Sequence, residues 1–134
     1  MNKLLITAPE NIAWLMNIRG HDSKFSPMPN CNAILNLNGQ IDLIVNQNKI
    51  DKKFKKYFGK KLKLISSNKI SNYLTKFDPK KTKFLLDILT CSYYYKSLIK
   101  KNGFKFIEKL DPIYTFKALK NKTEISNMRI SHRY

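Results

Sequence analysis

The sequence of 134 residues is poor in the residue types from which most active sites are built. It contains two histidines, His21 and His132, two cysteines, four glycines and nine carboxylates. No H-E-x-x-H, H-x-H or clustered carboxylates are present, and the glycines form no P-loop, G-x-G-x-x-G or G-x-S-x-G motif. The residues alone therefore predict no catalytic residue, no cofactor-binding residue and no metal ligand set in this chain.

Long hydrophobic runs are also lacking. No apolar stretch reaches the roughly 18 residues of a membrane helix, and the N-terminus has no basic segment followed by a long apolar one. We therefore expect no membrane association and a cytoplasmic location. Cys31 and Cys91 lie in apolar surroundings without C-x-x-C spacing, which indicates two buried thiols rather than a disulfide or a metal site. A Cys-His pair with His21 has no local support.

Acidic residues are scarce beside the bases, and the formal net charge is +17. Residues 1–48 are balanced, with three bases and three acids, whereas residues 49–134 hold 23 bases and 6 acids. Only Arg19, Arg129 and Arg133 are arginine, the residue preferred for bidentate recognition of phosphates and bases. We interpret the lysine excess as a compositional bias spread over solvated faces, with non-specific, salt-sensitive nucleic-acid binding as the alternative.

What the sequence does contain is an alternation of strand and helix patterns without a repeat or linker. Strands are predicted at 3–7, 62–66, 82–87 and 104–108, and Asn38-Gly39 between two apolar runs predicts a hairpin. Helical stripes are predicted for Ile12, Leu15 and Met16 (ended by Arg19-Gly20), for Phe54, Tyr57 and Phe58, for Ile70, Tyr73, Leu74 and Phe77 (capped by Ser66 or Ser67), and for Ile88, Cys91, Tyr95, Leu98 and Ile99. This order indicates one three-layer α/β domain with a mixed sheet.

The last part of the chain carries two helix-start signals. Asp111-Pro112 begins a segment through Leu119, and Asn121 with Glu124 forms a capping box before a helix with Ile125, Met128 and His132 on one face. Two aromatic features have competing interpretations. The Tyr93–Tyr95 run turns one ring to the core, or else forms a stacking platform for single-stranded nucleic acid. Trp14 is half buried beside a helical face, or else exposed at a subunit edge.

Two stretches at opposite ends of the chain carry a family resemblance. "ITAPENIAWLMNIRGHDSKFSPMP" (6–29) and "LDPIYTFKALKNKTEISNMRISH" (110–132) resemble segments of the Xaa-Pro aminopeptidases, the aminopeptidase P family. The first resembles that family's I-A-W-L-x-N-x-R-G-x-D signature and its N-P-V loop, although Ser26-Pro27-Met28 stands in place of N-P-V. The second resembles the passage from N-P-I through K-A-x-K-N to E-x-x-x-M-R-x-A-H.

The resemblance implies a creatinase-type N-terminal domain, a three-layer α/β/α fold with a mixed sheet and a ribonuclease H-like motif. Residues 1–119 would form this domain, the second of two N-terminal domains in three-domain members. Residues 120–134 would form a helix leading into the pita-bread peptidase domain, which this chain lacks. The family's five metal ligands, its two divalent ions of the manganese type and its proton-shuttling histidines belong to that missing domain. None of them is carried over to residues of this chain.

The implied function is that of a truncated or split Xaa-Pro aminopeptidase, a metallopeptidase that removes the N-terminal residue before proline. By itself the chain is expected to be inactive and to serve subunit association and shaping of the substrate cleft. Partners would be a separate peptidase-domain chain or a second copy, with a proline-containing peptide only where the catalytic domain is present. The alternative is a basic module that contacts nucleic acid or another protein. The cleft or interface candidates that match the signature are Trp14, Asn17, Arg19 and Asp22, beside the matching Gly20. Arg19 and Asp22 are expected to fix the loop by pairing with each other or with backbone carbonyls, with direct substrate contact as the alternative.

Overall fold

A six-stranded mixed sheet forms the middle of the molecule in a computed structural model that describes residues 2–133. The strands lie in the order β4-β3-β2-β1-β5-β6, and β2 alone runs antiparallel to the other five. Three successive apolar residues in β1 allow that short strand to be buried on both faces near the centre of the sheet. The strands are β1 (Lys3–Ile6), β2 (Asn32–Asn36), β3 (Ile41–Val45), β4 (Leu62–Ser66), β5 (Lys83–Asp87) and β6 (Lys105–Lys109).

Helices cover both faces of this sheet. Alternating strand residues separate the core into two halves: Leu5 and Phe84 face α3 and α4, while Ile6 and Leu85 face α1, α2 and α5. The sixth helix, α6, has no buried residue. The helices are α1 (Pro9–Met16), α2 (Lys52–Phe58), α3 (Ile70–Leu74), α4 (Tyr93–Lys101), α5 (Pro112–Ala118) and α6 (Lys122–Ser131). The predicted three-layer α/β/α fold with a mixed sheet is therefore confirmed.

Between residues 2 and 133, no helix is both long enough and apolar enough to cross a lipid bilayer. Several local predictions are confirmed. The β2–β3 hairpin turns at Asn38-Gly39, and both halves of the Asn121–Glu124 capping box are formed. In the tyrosine run, Tyr95 packs against the core while Tyr93 and Tyr94 are exposed.

The first helix ends earlier than the sequence predicts. It stops at Met16, and Asn17 takes a left-handed conformation with φ of 50°. The backbone N–H of Ile18 donates to the carbonyl oxygen of Ala13 at 3.0 Å, which completes the helix end. Asparagine tolerates this conformation better than most side chains, so Arg19-Gly20 already belongs to the following loop.

Four other local predictions are wrong. Tyr57 leaves the predicted stripe and is exposed, because only Phe54 and Phe58 reach the core from α2. The apolar alternation of Ala33, Leu35 and Leu37 predicts a strand that includes Leu37, but Leu37 is exposed beyond the end of β2. Ile88 is also exposed, since Ser92 caps α4 and the helix begins after it. Neither serine caps α3: a 3₁₀ turn over Ser67–Lys69 comes first, and Lys69 occupies the N-cap.

Candidate functional site on the α1–α5 face

The two ends of the chain meet where α1 packs against α5. The side-chain amide of Asn11 donates to Asp111 Oδ2 at 2.8 Å, and Lys117 Nζ donates to Asn11 Oδ1 at 2.7 Å. Beside them, the Tyr114 hydroxyl lies 3.3 Å from Glu10 Oε1. These contacts join residues about a hundred positions apart, and they bring together the two stretches that resemble the aminopeptidase segments.

Below this contact the hydrogen bonds continue into the interior. The backbone N–H of Asp111 donates to Asp87 Oδ1 at 3.1 Å, and the Thr90 hydroxyl donates to Asp87 Oδ2 at 2.7 Å. Asp111 Oδ1 also caps α5 by accepting the N–H of Ile113 at 2.9 Å. Every carboxylate oxygen of this buried polar network accepts a hydrogen bond from another group of the protein, so no carboxylate oxygen is left without a partner. Its members are Asn11, Asp87, Thr90, Asp111 and Lys117.

The network occupies a position in the sheet where other proteins often bind ligands. It lies at the carboxyl ends of β5 and β6, the end of parallel strands where open α/β sheets ordinarily bind ligands. Asp87 and Asp111 are each only 1% exposed. Here the chain fills that end with its own side chains, so the network is a structural joint rather than a ligand pocket.

The signature loop, residues 17–30, follows α1 and is held by fewer contacts. Arg19 Nη1 donates to the carbonyl oxygen of Ile18 at 2.8 Å. Asp22 Oδ2 accepts the backbone N–H of Asn30 at 2.8 Å, and Asp22 Oδ1 pairs with the Lys49 ammonium. The hydrogen bond from Lys49, followed by that from Asn30, lowers the pKa of Asp22 below its usual value. Arg19 and Asp22 thus each bond to other groups instead of to one another.

The two ends of the signature loop touch each other. The backbone N–H of Gly20 donates to the carbonyl oxygen of Pro27 at 2.8 Å. A Cβ atom at Gly20 would lie 2.5 Å from Cα of Pro29, closer than real Cβ contacts, so glycine is required by the packing. Between them a bridge from Ser23 to Ser26 closes the tip of the loop.

Arg19 lies between two depressions in the surface. A groove of about 220 Å³ runs along α1, the loop and α5, and Trp14 forms one wall with its side chain 39% exposed. On the other side a cleft of about 400 Å³ opens toward α2. The groove is lined by Glu10, Ala13, Trp14, Arg19, Pro27, Met28 and Lys117. Of the four candidates, Trp14 and Arg19 therefore share one surface, while Asn17 and Asp22 shape the loop that presents it.

A family model of the creatinase/prolidase N-terminal domain matches residues 1–124. The chain belongs to that family. Among curated relatives of this domain, Xaa-Pro aminopeptidase 1 of Dictyostelium discoideum is 28% identical over 129 residues, and an Xaa-Pro aminopeptidase of Drosophila melanogaster is 29% identical over 132 residues. Each match covers 96% of this chain but 20% and 21% of the relative. The creatinase/prolidase N-terminal domain described here thus spans about a fifth of their length.

A solved structure supports the same fold. The X-prolyl aminopeptidase of Caenorhabditis elegans, described as a cytosolic enzyme with a di-nuclear active site, matches with a TM-score of 0.80. The match covers 98% of this creatinase/prolidase N-terminal domain and 22% of the nematode chain, at 23% sequence identity. At that identity the likeness speaks for the fold alone.

Residues 2–133 offer no fitting place for the two ions of such a di-nuclear centre. Within the part of the chain that the structure describes, no three or more His, Cys, Asp or Glu side chains come together. Burial raises the pKa of the Cys31 thiol to about 12, so this cysteine is a poor nucleophile at neutral pH. His21 is exposed on the signature loop beside Asp22. We therefore derive no chemical step through a metal in this domain.

Several residues of the site escaped the sequence analysis. Lys49 pairs with Asp22 from the turn after β3, and Lys117 reaches Asn11 from α5. No short-range motif signals either contact, because each joins residues far apart in sequence. The Asp111-Pro112 pair did signal the start of α5, but the buried partner of Asp111 on α1 is visible only in three dimensions.

Proposed function

We propose that this creatinase/prolidase N-terminal domain serves an Xaa-Pro aminopeptidase as a non-catalytic unit, in subunit association and in shaping the substrate cleft. The observation that carries the proposal is the groove in which Trp14 and Arg19 stand exposed between the two stretches that resemble the aminopeptidases. An exposed tryptophan and arginine beside one another are the residue types most enriched at the centres of protein interfaces.

The contacts within the groove support a role in binding rather than in stability. Arg19 uses one hydrogen bond, to the neighbouring carbonyl of Ile18, so most of its guanidinium donors face solvent. Trp14 lies on α1 one turn from the buried Asn11, so the network below anchors the helix that carries the indole. An anchored helix that carries Trp14, together with the free guanidinium donors of Arg19, is suited to form a cleft wall that limits which peptide ends enter.

The proposal includes the arrangement of the longer protein. Residues 1–119 form the domain, and residues 120–134, of which Tyr134 lies outside the described part, form the connection to a following catalytic domain. The solvent-exposed α6 and the greater length of the relatives support this division. In that arrangement the two divalent ions, the proline-containing peptide and the hydrolysis belong to the other domain. A partner chain or a second copy would meet this domain at the groove, in the cytoplasm, as for the cytosolic nematode enzyme.

A chimera tests the proposal directly. This chain replaces the aligned 129-residue segment of the Dictyostelium relative, and hydrolysis of an Xaa-Pro tripeptide is measured with Mn²⁺. We expect the chimera to be active, and the variants Trp14→Ala and Arg19→Ala to lower its kcat/KM about tenfold, roughly 1.4 kcal/mol of transition-state stabilisation. Thermal unfolding of the variants should stay close to that of the parent chimera.

The matched control is Tyr57→Ala, which removes another exposed aromatic ring that does not line the groove. It should leave kcat/KM unchanged. The isolated chain with Mn²⁺ should show no turnover above the blank. Metal-dependent hydrolysis by the isolated chain, or equal activity of all three variants in the chimera, would rule out this role.

A further inference from the structure

One part of the surface carries a charge that the fold itself does not explain. Residues 52–77 contain nine lysines and no carboxylate. The chain places six of them on α2 and the turn that follows it, all exposed to solvent. This α2 lysine cluster consists of Lys52, Lys53, Lys55, Lys56, Lys60 and Lys61.

The helix directs this charge outward. Phe54 and Phe58 pack against the core, and the helical period places Lys52, Lys53 and Lys56 on the opposite side. Strand β4, which follows the cluster, is an edge strand of the sheet. The cluster therefore lies on the solvent side of α2 and on the turn that leads into this edge strand.

Few carboxylates lie near the α2 lysine cluster in sequence. The ion pairs found across residues 2–133 join Lys49 to Asp22 and Lys96 to Glu108, and the cluster takes part in neither. Asp51 begins α2, but its Oδ1 accepts the backbone N–H of Phe54 at 2.6 Å as the helix cap. A single carboxylate, Asp51, therefore adjoins the six lysines in sequence, and within residues 2–133 none of the six forms an ion pair with it.

Helix stability does not account for the arrangement either. Lys52 and Lys53 occupy the first turn of α2, where the helix macrodipole disfavours positive charge. Lys52 and Lys56 are also four positions apart, a spacing at which like charges repel across one turn. Lys55 and Lys56 in the last turn fit the dipole, so only part of the cluster serves the helix itself.

We propose that the α2 lysine cluster is a docking surface for the phosphate backbone of single-stranded nucleic acid, independent of base sequence. Lysine supplies point charges for phosphates without the bidentate geometry that reads bases. Tyr57, 76% exposed among these lysines, provides a ring on which an unpaired base stacks. A lipid surface fits less well, because a membrane-surface helix presents a whole apolar face, whereas α2 turns Phe54 and Phe58 inward and exposes Tyr57 alone of its aromatic residues.

The test uses the opposite edge of the same sheet as a matched control. Four lysines of the cluster are changed in one variant, Lys52→Gln, Lys53→Gln, Lys56→Gln and Lys60→Gln. The control changes four exposed lysines on α4 and edge strand β6: Lys100→Gln, Lys101→Gln, Lys105→Gln and Lys109→Gln. Both variants lose the same net charge, so any difference between them reports position. Circular dichroism melts establish that both remain folded.

Binding of a labelled oligouridylate of about 16 nucleotides is measured from about 50 to 200 mM salt. We expect the cluster variant to lose at least about tenfold in affinity, with a salt slope shallower by about 2 to 3, since each lost contact with a single strand contributes about 0.7. The control should change affinity less than about threefold. Tyr57→Ala should weaken binding about tenfold at an unchanged slope.

Three outcomes would overturn the proposal: equal losses in the two lysine variants, which indicate bulk charge; no binding by the unchanged chain at low salt; or cluster-dependent binding to vesicles of phosphatidylcholine and phosphatidylserine without binding to the oligonucleotide. The proposal does not depend on the role of the groove, since Trp14 and Arg19 lie outside the cluster. A chimera that fails in peptide hydrolysis therefore leaves it unaffected.

Discussion

The buried polar network and the signature loop are neighbours on one face, but they hold their polar residues in opposite ways. Asn11 and Asp111 are almost completely buried and bonded to each other. Arg19 and Asp22 are exposed and bonded once or twice to the loop and its surroundings. Buried polar groups lose much stability when a partner is removed, whereas exposed pairs contribute little because water replaces them. The network therefore holds the fold, and the loop retains free donors for a partner.

The sharpest test of this comparison removes the centre of the network. We expect Asp111→Ala to lower the free energy of unfolding by about 3 kcal/mol, because the change removes the cap of α5 and leaves the buried Asn11 amide without an acceptor. Urea unfolding followed by circular dichroism measures the loss. The control is Asp51→Ala, which removes an exposed cap of α2 and should cost about 1 kcal/mol. Equal losses of unfolding free energy in the two variants would mean that the buried contact of Asp111 with Asn11 contributes nothing beyond helix capping.

A second test addresses the packing of the signature loop. Gly20→Ala places a Cβ atom against the backbone of Pro29, so the loop must shift, and we expect a loss of about 2 kcal/mol. Thermal unfolding measures this change. Ser23→Ala at the exposed tip of the same loop is the matched control, with an expected change within about 0.5 kcal/mol. If both variants unfold at the same temperature, the loop ends are less closely packed than the distances indicate.

The smallest effect belongs to the ion pair of the loop. The pKa of Asp22 is lower in the folded chain than in the unfolded one, so its contribution is present above the unfolded pKa of about 4 and fades as the pH falls through the folded pKa. We expect Asp22→Asn to cost less than about 1 kcal/mol at neutral pH, and nothing measurable at pH about 2. Urea unfolding at both pH values measures the difference. If the difference in free energy of unfolding between Asp22→Asn and the unchanged chain persisted at acid pH, the hydrogen bond and not the charge would hold the loop.

The fold was predictable from the sequence because its signals are local. Short continuous apolar runs marked β1 and β5, the Asn38-Gly39 pair marked the hairpin, and the spacing of Asn121 and Glu124 marked α6. Each of these patterns acts within a few residues, where backbone preference and burial agree. The errors fell where two local signals competed. Asn17 ended α1 before the glycine did, and Ser92 began α4 after Ile88.

The site was less predictable because its contacts are long-range. The signature pointed to Trp14 and Arg19, which the structure places on one groove, but it gave no sign of Lys117 on the far wall. Lys117 opens the K-A-x-K-N pattern of the second stretch, but that pattern says nothing of its contact with Asn11. Only the packing of α1 on α5 selects it, and that packing depends on the whole sheet being formed.

The contact between Gly20 and Pro29 also bears on how this surface changes between related chains. Because the chain leaves and re-enters the domain at nearly the same point, the residues between them form a compact loop anchored at one spot. Lengthening such a loop adds little entropic cost, since the closure term grows only with the logarithm of its length. Insertions at the tip of the loop, 23–26, are therefore expected to leave α1 and β2 where they are. The wall beside the groove is thereby free to vary in shape and reach while the sheet beneath it stays the same.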